Sequence, residues 1–213
     1  MTPTTLLVIR HGETAWNAEH RIQGHLDIPL SPAGMRQAAC LAERLGGAAI
    51  DAVYSSELAR AWLTAAPLAE RLGLEILSDT RLRERSFGLF EGLTLDEIAT
   101  RHPEPFRRWR ERDPAWTVDG GESGLDLIER VLEALHDIVA RHPGGTVAVV
   151  THGGVLDVVY RAARALPWDA PRQHQMLNAS INRLSAAASP LTMNIIDWAD
   201  VAHLGQARDE TLT

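Results

Sequence analysis

Two short apolar runs in this chain end in the same way, with a histidine followed by a glycine. The first reads LLVIRHG over 6–12 and the second reads VAVVTHGG over 147–154. Four apolar residues without polar alternation are typical of a strand buried on both faces, as in a parallel sheet covered by helices. Ligands of such sheets bind outside the carboxyl ends of the strands. We therefore predict that His11 and His152 face one crevice if their strands are neighbours.

The rest of the chain alternates short apolar runs with longer helical patterns, which predicts the α/β fold class. Strands are predicted at 5–9, 51–54, 74–77 and 147–150, and weaker alternation over 178–198 predicts two more. Helices are predicted at 32–45, 57–73, 121–142 and 155–166. We expect Ser31 to cap the first helix and Ser55 or Ser56 the second, with a kink or a break at Pro67. The polar end QARDETLT (206–213) is expected to be frayed.

The residues around the two histidines favour an anionic ligand. Glycines after each histidine leave backbone N–H groups open, and a helix that begins near Gly154 adds its positive end. Arg10 offers a planar guanidinium, which donates two parallel hydrogen bonds to phosphate oxygens. Either HG pair alone would be typical of a packing or capping histidine, but the two matching contexts favour a phosphate site.

Composition excludes several other kinds of function. A formal net charge of −7 argues against general nucleic-acid binding, which needs a basic surface. No apolar run approaches the ~20 residues of a membrane span, and no signal peptide is visible, so we expect a cytoplasmic protein. A metal site is an alternative because the chain has nine histidines, yet no H-x-E, H-x-H or cysteine-rich spacing accompanies them. Arg10 beside His11 would also repel a cation, so no metal is predicted.

Further motifs follow in a fixed order along the chain. They are RHGET with WN (10–17), RIQGHLDIPLSPAG (21–34), YSSELAR (54–60), LRERSFGLFEG (82–92), GGES (120–123) and VVTHGG (149–154). On these motifs the chain resembles the histidine phosphatase superfamily, in its phosphoglycerate mutase-like branch, and within it the broad-specificity and α-ribazole-type phosphatases. The resemblance extends from Leu6 to about Leu166. It implies one domain over 1–213, built as a three-layer α/β/α sandwich with a mostly parallel central sheet.

The resemblance also implies a reaction through a covalent phosphohistidine, without a metal or an organic cofactor. His11 would be the nucleophile, because a neutral imidazole nitrogen attacks phosphorus without first losing a proton. Its other ring nitrogen should then donate to a backbone carbonyl. Arg10, Arg60 and His152 would form a positive pocket around the transferring oxygens. Glu84 matches the acid of the family, which protonates the leaving oxygen and later takes a proton from the attacking water.

Candidate substrate-binding residues surround this predicted centre. They are Asn17, Gln23, Gly24, Gly153, Ser123, Arg107 and Arg108. Ser123 is also a candidate helix cap, and its contact with substrate stays open. The segment 86–121 is predicted to cap the pocket and set specificity; a solvated, partly amphipathic helix is the alternative interpretation.

Three functions remain open at this point. The first is a phosphatase that acts on a small-molecule phosphomonoester. The second is a phosphoglycerate mutase, which requires 2,3-bisphosphoglycerate as cofactor and would use paired arginines such as Arg107 and Arg108 for a second anionic group. The third is a non-catalytic module that binds a phosphorylated ligand. The short segment before GGES and its aromatic residues favour the phosphatase. A homodimer also stays open, since the family forms monomers, dimers and tetramers.

Overall fold

A six-stranded sheet forms the centre of the computed structural model, which describes residues 2–205 and 209. Its strands are β1 (Thr4–Arg10), β2 (Ala52–Ser55), β3 (Ile76–Ser78), β4 (Thr146–Thr151), β5 (Ile181–Ala188) and β6 (Leu191–Asp200). They lie in the order β3-β2-β4-β1-β5-β6. The first four in this order are parallel, whereas β5 is antiparallel to β1 and β6 is antiparallel to β5. The mostly parallel sheet confirms the predicted α/β class.

The register of the two central strands sets the position of the site. β1 and β4 are direct neighbours, with Ile9 opposite Val150 and Arg10 opposite Thr151. Both strands end at that last pair, so the two following histidines leave the sheet side by side. The crevice predicted from the two HG motifs therefore exists.

Seven α-helices are found in the described residues. They are α1 (Ala15–Ala18), α2 (Pro32–Leu45), α3 (Ala59–Leu72), α4 (Leu95–Arg101), α5 (Pro103–Arg110), α6 (Gly124–Arg141) and α7 (Gly153–Arg164). Because side chains alternate along a strand, Leu6 and Val8 of β1 pack with α6 and α7, whereas Leu7 and Ile9 pack with α2 and α3 on the opposite face. Two apolar cores thus enclose the sheet, as a three-layer sandwich requires.

A third, smaller apolar cluster lies within and beside the segment 86–121. Phe90 and Ile98 are fully buried in it, and Trp109 of α5 packs against it. This cluster determines which face of α5 points inward, because Phe106 and Trp109 of that helix pack against it.

Several local predictions were wrong. α3 begins at Ala59 with Leu58 in the capping position, because Ser55 is the last residue of β2. Pro67 does not divide α3 into two helices, because α3 continues through it, and the alternative of a kink stays a prediction. The third strand lies two residues further along than predicted at its start, and α6 begins at Gly124 because Ser123 caps it. The prediction of a frayed end falls, apart from Asp209, outside the described residues.

Neither a membrane-spanning helix nor a cluster of metal ligands is found in the described residues. Over the part of the chain that the structure describes, no helix is both long enough and apolar enough to cross a membrane. Within the same residues, no group of three or more His, Cys, Asp and Glu side chains is arranged to hold a metal ion.

Candidate active site

His11 follows β1 directly and is almost completely buried, with 2% of its surface exposed. Its backbone N–H donates to the carbonyl of Thr151 at 2.8 Å, which ties the residue to the end of β4. The ring Nδ1 lies 2.7 Å from the carbonyl oxygen of Gly12. A carbonyl only accepts, so Nδ1 must carry the proton and Nε2 keeps its lone pair. Burial, and then the charges of Arg60 and Arg10, hold the pKa of His11 well below its ordinary value.

His152 follows β4 in the corresponding position and is fully buried. Its ring centroid lies 5.2 Å from that of His11, with the ring planes tilted by 57°. Burial first, then the nearby charge of Arg60, lowers the pKa of His152 well below its ordinary value. Neither ring nitrogen hydrogen-bonds to another described residue. A buried imidazole in that condition costs free energy, which a ligand oxygen at the site would offset.

Arg10 and Arg60 are both fully buried, which is unusual for guanidinium groups. Arg10 donates through Nη1 to the carbonyl of Met176. Arg60 donates through Nη2 to Gly24 at 2.7 Å and through Nη1 to Leu26 at 2.9 Å. Since both charges depress the pKa of the two histidines, the centre of the site is strongly positive and carries neutral imidazoles.

A hydroxyl group connects the loop after β1 to α3. The backbone N–H of Gly12 donates to Oγ1 of Thr64 at 2.9 Å, and that hydroxyl donates to the carbonyl of Arg60 at 2.7 Å. Asn178 supports the same loop from another direction, since its Nδ2 donates to the carbonyl of His11 at 3.1 Å. The roles of Thr64 and Asn178 were not predicted from the sequence, because neither residue lies in a pattern that distinguishes it from a packing residue.

Glu84 enters the site beside the start of α7 and is 7% exposed. Its Oε1 accepts from the backbone N–H of Gly154 at 3.0 Å and from that of Arg85 at 2.7 Å. A Cβ on Gly154 would lie 2.3 Å from Oε1 of Glu84, so a side chain here would force the carboxylate to move. The carboxylate is therefore held on the turn that also carries His152.

Three of the seven predicted substrate-binding residues form hydrogen bonds with segments that carry the centre, namely Asn17 and Gln23 with Thr14 and Gly24 with Arg60. Oγ1 of Thr14 donates toward Oε1 of the buried Gln23 at 3.0 Å, and Asn17 receives the Thr14 backbone N–H at 3.0 Å. Gly24 is the carbonyl partner of Arg60, as described above. Gly153 is the first residue of α7, with its N–H at the positive end of the helix.

Ser123 caps α6. Its hydroxyl donates to Oδ2 of Asp126 at 2.6 Å and accepts from the Asp126 backbone N–H at 3.1 Å. This arrangement is a capping box, so the position and hydrogen bonds of Ser123 are explained without any contact with a ligand.

The structure does not bring Arg107 and Arg108 to the centre of the site, and their contact with substrate stays a prediction. The side chain of Arg107 is 61% exposed and pairs with Glu104 and Glu111 on the solvent face of α5. The guanidinium of Arg108 lies 5.4 Å from the ring of Trp116 and does not line the cavity described next. The reason is helical spacing: Phe106 and Trp109 form the inward face of α5, and the two arginines lie on the other side.

A cavity of about 200 Å³ opens beside Glu84 and Gly154. We call it the Glu84 cavity. Its walls include Arg85, Arg112, Trp109, Trp116 and Trp168. A larger groove of about 840 Å³ lies between α6, α7 and β6, and none of the predicted site residues line it. The Glu84 cavity is the one that adjoins the candidate acid.

Comparison with known proteins identifies a family model that matches this chain, together with similar proteins and a similar solved structure. The model of the family described as histidine phosphatase superfamily (branch 1) matches residues 6–197. The phosphoglycerate mutase-like protein 4 of Arabidopsis thaliana is 41% identical over 203 residues, 93% of this chain and 86% of that protein. The metal-independent phosphoserine phosphatase of the same plant is 38% identical over 205 residues, 94% and 83% of the two chains. A solved mycobacterial glucosyl-3-phosphoglycerate phosphatase in complex with VO3 has a TM-score of 0.80 at 36% identity, covering 91% of this chain and 98% of that one.

Proposed function

The chain belongs to the histidine phosphatase superfamily (branch 1), and from that premise we propose that it hydrolyses small-molecule phosphomonoesters through a covalent phosphohistidine on His11. The observation that carries this proposal is the 2.7 Å contact between Nδ1 of His11 and the Gly12 carbonyl oxygen. It leaves Nε2 unprotonated in a pocket that also holds Arg10 and Arg60. A lone pair beside two buried cations suits attack on a phosphate group.

In the first step, Nε2 of His11 attacks phosphorus and the bond between phosphorus and the leaving oxygen breaks. Glu84, protonated at this stage, donates its proton to that oxygen, so that an alcohol departs. Arg10 and Arg60 balance the charge on the transferring oxygens, and His152 adds a ring N–H donor.

In the second step, a water molecule attacks the phosphohistidine. Glu84, now ionised, takes a proton from that water while the nitrogen–phosphorus bond breaks. Inorganic phosphate is released, and His11 returns to the neutral state that its low pKa favours. The protonated Glu84 is then ready for another ester.

The segment 86–121 is assigned to specificity in this proposal, as a cap on the single domain formed by 1–213. Its helix α5 contributes Trp109 to the Glu84 cavity, and the turn after it contributes Arg112. A mutase would have to retain its phosphorylated product and exchange phosphate with a bisphosphoglycerate. The names of the relatives include both phosphatases and a mutase-like protein, so the test must separate the two reactions.

Phosphate release provides that test. The purified protein is assayed on p-nitrophenyl phosphate, phosphoserine and 3-phosphoglycerate, with and without added 2,3-bisphosphoglycerate. We expect release of inorganic phosphate without the bisphosphoglycerate, and a loss of about a thousandfold or more in His11→Ala. The matched control is His136→Ala, since that side chain is 49% exposed on α6. Equal rates in wild type and His11→Ala would overturn the proposal, as would isomerisation of phosphoglycerate that depends on the bisphosphate and releases no phosphate.

A further inference from the structure

The loop 23–27 packs against the start of α3, which carries Arg60. Arg60 donates through Nη2 to the carbonyl of Gly24 and through Nη1 to that of Leu26, at the distances given above. In the other direction, Oδ1 of Asp27 accepts the backbone N–H of the first residue of α3 at 2.7 Å. A carboxylate is favourable at this place, because the first N–H groups of a helix have no partner within the helix. One side of the loop is therefore fixed to a cation of the phosphate site.

His25, in the middle of the same loop, contacts the candidate acid on the other side. Its backbone N–H donates to Oε1 of Glu91 at 3.0 Å. Its ring Nε2 lies 2.8 Å from the backbone carbonyl oxygen of Glu84. Because a carbonyl oxygen accepts and does not donate, Nε2 carries the proton and the ring is the donor. The loop 23–27 thus connects Arg60 to Glu84.

The carbonyl oxygen of Glu84 accepts a second hydrogen bond, from Arg130 of α6. Nη2 of Arg130 donates to it at 2.9 Å, and Nη1 donates to the carbonyls of Arg81 and Arg83 at 2.7 Å and 2.8 Å. A backbone carbonyl oxygen has two lone pairs, so it accommodates both donors. Donors on α6 and on the loop 23–27 together hold the direction of this carbonyl.

The direction of that carbonyl affects the position of the carboxylate of the acid. The carbonyl of Glu84 and the N–H of Arg85 belong to one planar peptide group, in which the two bonds point in opposite directions. The N–H of Arg85 donates to Oε1 of Glu84 at 2.7 Å. If the carbonyl turned away from its donors, the N–H would turn with it, and the carboxylate would lose one of the hydrogen bonds that hold it. The ring of His25 therefore acts on Oε1 through one peptide group.

His25 is the one of the two donors that can be replaced without disturbing the core. The side chain of Arg130 is 19% exposed and pairs with Glu122 at 2.5 Å, so its loss would leave a buried carboxylate without its cation. His25 is exposed, and water can satisfy the carbonyl when the ring is removed. Water does not fix the direction of the peptide group as a ring carried by the loop does. Substitution of His25 should therefore affect the acid more than the stability of the fold.

We propose that His25 is a positioning residue for Glu84, and that its ring N–H keeps the acid within reach of the leaving oxygen of the ester. This inference rests on the proposed function. His25 contacts the backbone of the acid, so it acts through Glu84. Proton transfer needs the acid within hydrogen-bond reach of the leaving oxygen, and a small displacement slows that step. Loss of His25 should slow hydrolysis of esters that need a proton and spare esters that need none.

Two aryl esters that differ in their need for an acid test this role. Phenyl phosphate releases a basic phenolate that has to be protonated, whereas dinitrophenyl phosphate releases a phenolate that leaves without a proton. The value of kcat/KM covers the steps up to the departure of the leaving group, so it reports the acid and not the later attack of water. We expect His25→Leu to lower kcat/KM on phenyl phosphate by about tenfold and on dinitrophenyl phosphate by less than about twofold. His25→Gln should restore most of the rate, because its amide N–H has nearly the same reach as Nε2.

His136→Leu is the matched control, since it makes the same substitution at a histidine whose side chain is 49% exposed on α6. It should change neither rate. Equal losses on the two esters in His25→Leu would overturn the proposal, because they would show a general disturbance of the phosphate site. An undiminished rate on phenyl phosphate, or a His25→Gln enzyme as slow as His25→Leu, would overturn it as well. If His25→Leu does not fold, His25→Asn takes its place, because its shorter side chain ends before the Glu84 carbonyl.

An amide resonance separates this inference from the proposed function. The N–H of Gly154 donates to Oε1 of Glu84, so its proton shift in a nitrogen–proton correlation spectrum reports the position of the carboxylate without turnover. We expect this proton to move upfield in His25→Leu, where the hydrogen bond lengthens, and to keep its position in His25→Gln and His136→Leu. An unchanged shift in His25→Leu contradicts the positioning role. If wild type hydrolyses no ester, including p-nitrophenyl phosphate, the hydrolase proposal fails while this spectrum still decides whether His25 holds Glu84.

Discussion

The backbone N–H of Gly154 lies 3.0 Å from Oε1 and 3.2 Å from Oε2 of Glu84. This contact joins the candidate acid to the first turn of α7, whose capping residue is His152. The acid and one of the phosphate-binding groups are thus positioned by one rigid element at the end of β4. The nucleophile, on β1, is held against that element through the pairing of the two strands.

Gly154→Ala should displace Glu84 without unfolding the protein. The new Cβ would lie 2.3 Å from Oε1 of Glu84, and the far end of that side chain can move. A misplaced acid lowers kcat/KM by about tenfold to a hundredfold. Gly47→Ala is the control, because a Cβ there meets no atom within 4 Å. Steady-state kinetics that show equal rates for both variants would disprove this role of Gly154.

Thr64→Val should weaken the connection between the loop after β1 and α3. The variant keeps the shape of the side chain but removes the acceptor of the Gly12 N–H and the donor to the Arg60 carbonyl. An unsatisfied buried group costs about 1–3 kcal/mol in the free energy of unfolding. Urea denaturation measures that loss. Thr64→Ser retains the hydroxyl and should restore most of the stability and activity; if it behaves like Thr64→Val, the hydrogen bonds are not the cause.

The depressed pKa values of His11 and His152 predict a stability that falls with acid. Both imidazoles stay neutral in the folded protein at a pH where they are protonated in the unfolded chain. The unfolded state therefore binds more protons below about pH 6.5, the ordinary pKa of histidine, and the stabilising difference is lost as the pH falls through that value.

Each of the two histidines contributes a slope of up to about 1.4 kcal/mol per pH unit below that point. Chemical denaturation of wild type and His152→Asn between pH 7.5 and 5 separates this effect from other titrating groups. We expect a shallower pH dependence in the variant. Parallel curves would show that the pKa of His152 is not depressed in the folded state.

Arg107→Gln should leave turnover nearly unchanged. Arg107 is exposed, and its ion-pair partners among the described residues are Glu104 on α5 and Glu111 at the end of that helix, so we expect a change of less than about twofold in kcat/KM on 3-phosphoglycerate. A loss of tenfold or more would place Arg107 at the substrate and would revive the mutase interpretation.

The core of the site could be predicted from the sequence because buried parallel strands read as continuous apolar runs. LLVI is followed directly by Arg10 and His11, and VAVV is followed by Thr151 and then His152, so the positions of these residues at the strand ends could be predicted from the local pattern. The sequence left open only whether the two strands are neighbours, and the pairing of β1 with β4 shows that they are.

The surrounding residues could not be predicted because their positions depend on tertiary packing. The face of α5 that points inward depends on contact with the apolar cluster around Phe90. Trp109 packs against that cluster, and Arg107 lies on the solvent side of the helix. Arg112 lies at the cavity in a turn where its own backbone is in the left-handed region, with φ of +57°. An arginine in the sequence does not indicate that conformation. Thr64 lies within a helix pattern like any small polar residue. Its role depends on its hydrogen bonds to Gly12 and Arg60, which only the folded structure shows.

The central claim is the covalent intermediate on His11, and a burst experiment with Glu84→Gln tests it most directly. A dinitrophenyl phosphate ester needs no acid to leave, so this variant should still form the phosphohistidine but hydrolyse it slowly for want of a base. We predict a burst of dinitrophenol of about one equivalent per enzyme, with acid-labile, alkali-stable phosphate on His11. The double variant His11→Ala, Glu84→Gln should show neither. Phosphate on another residue, or turnover without any protein-bound phosphate, would contradict the account.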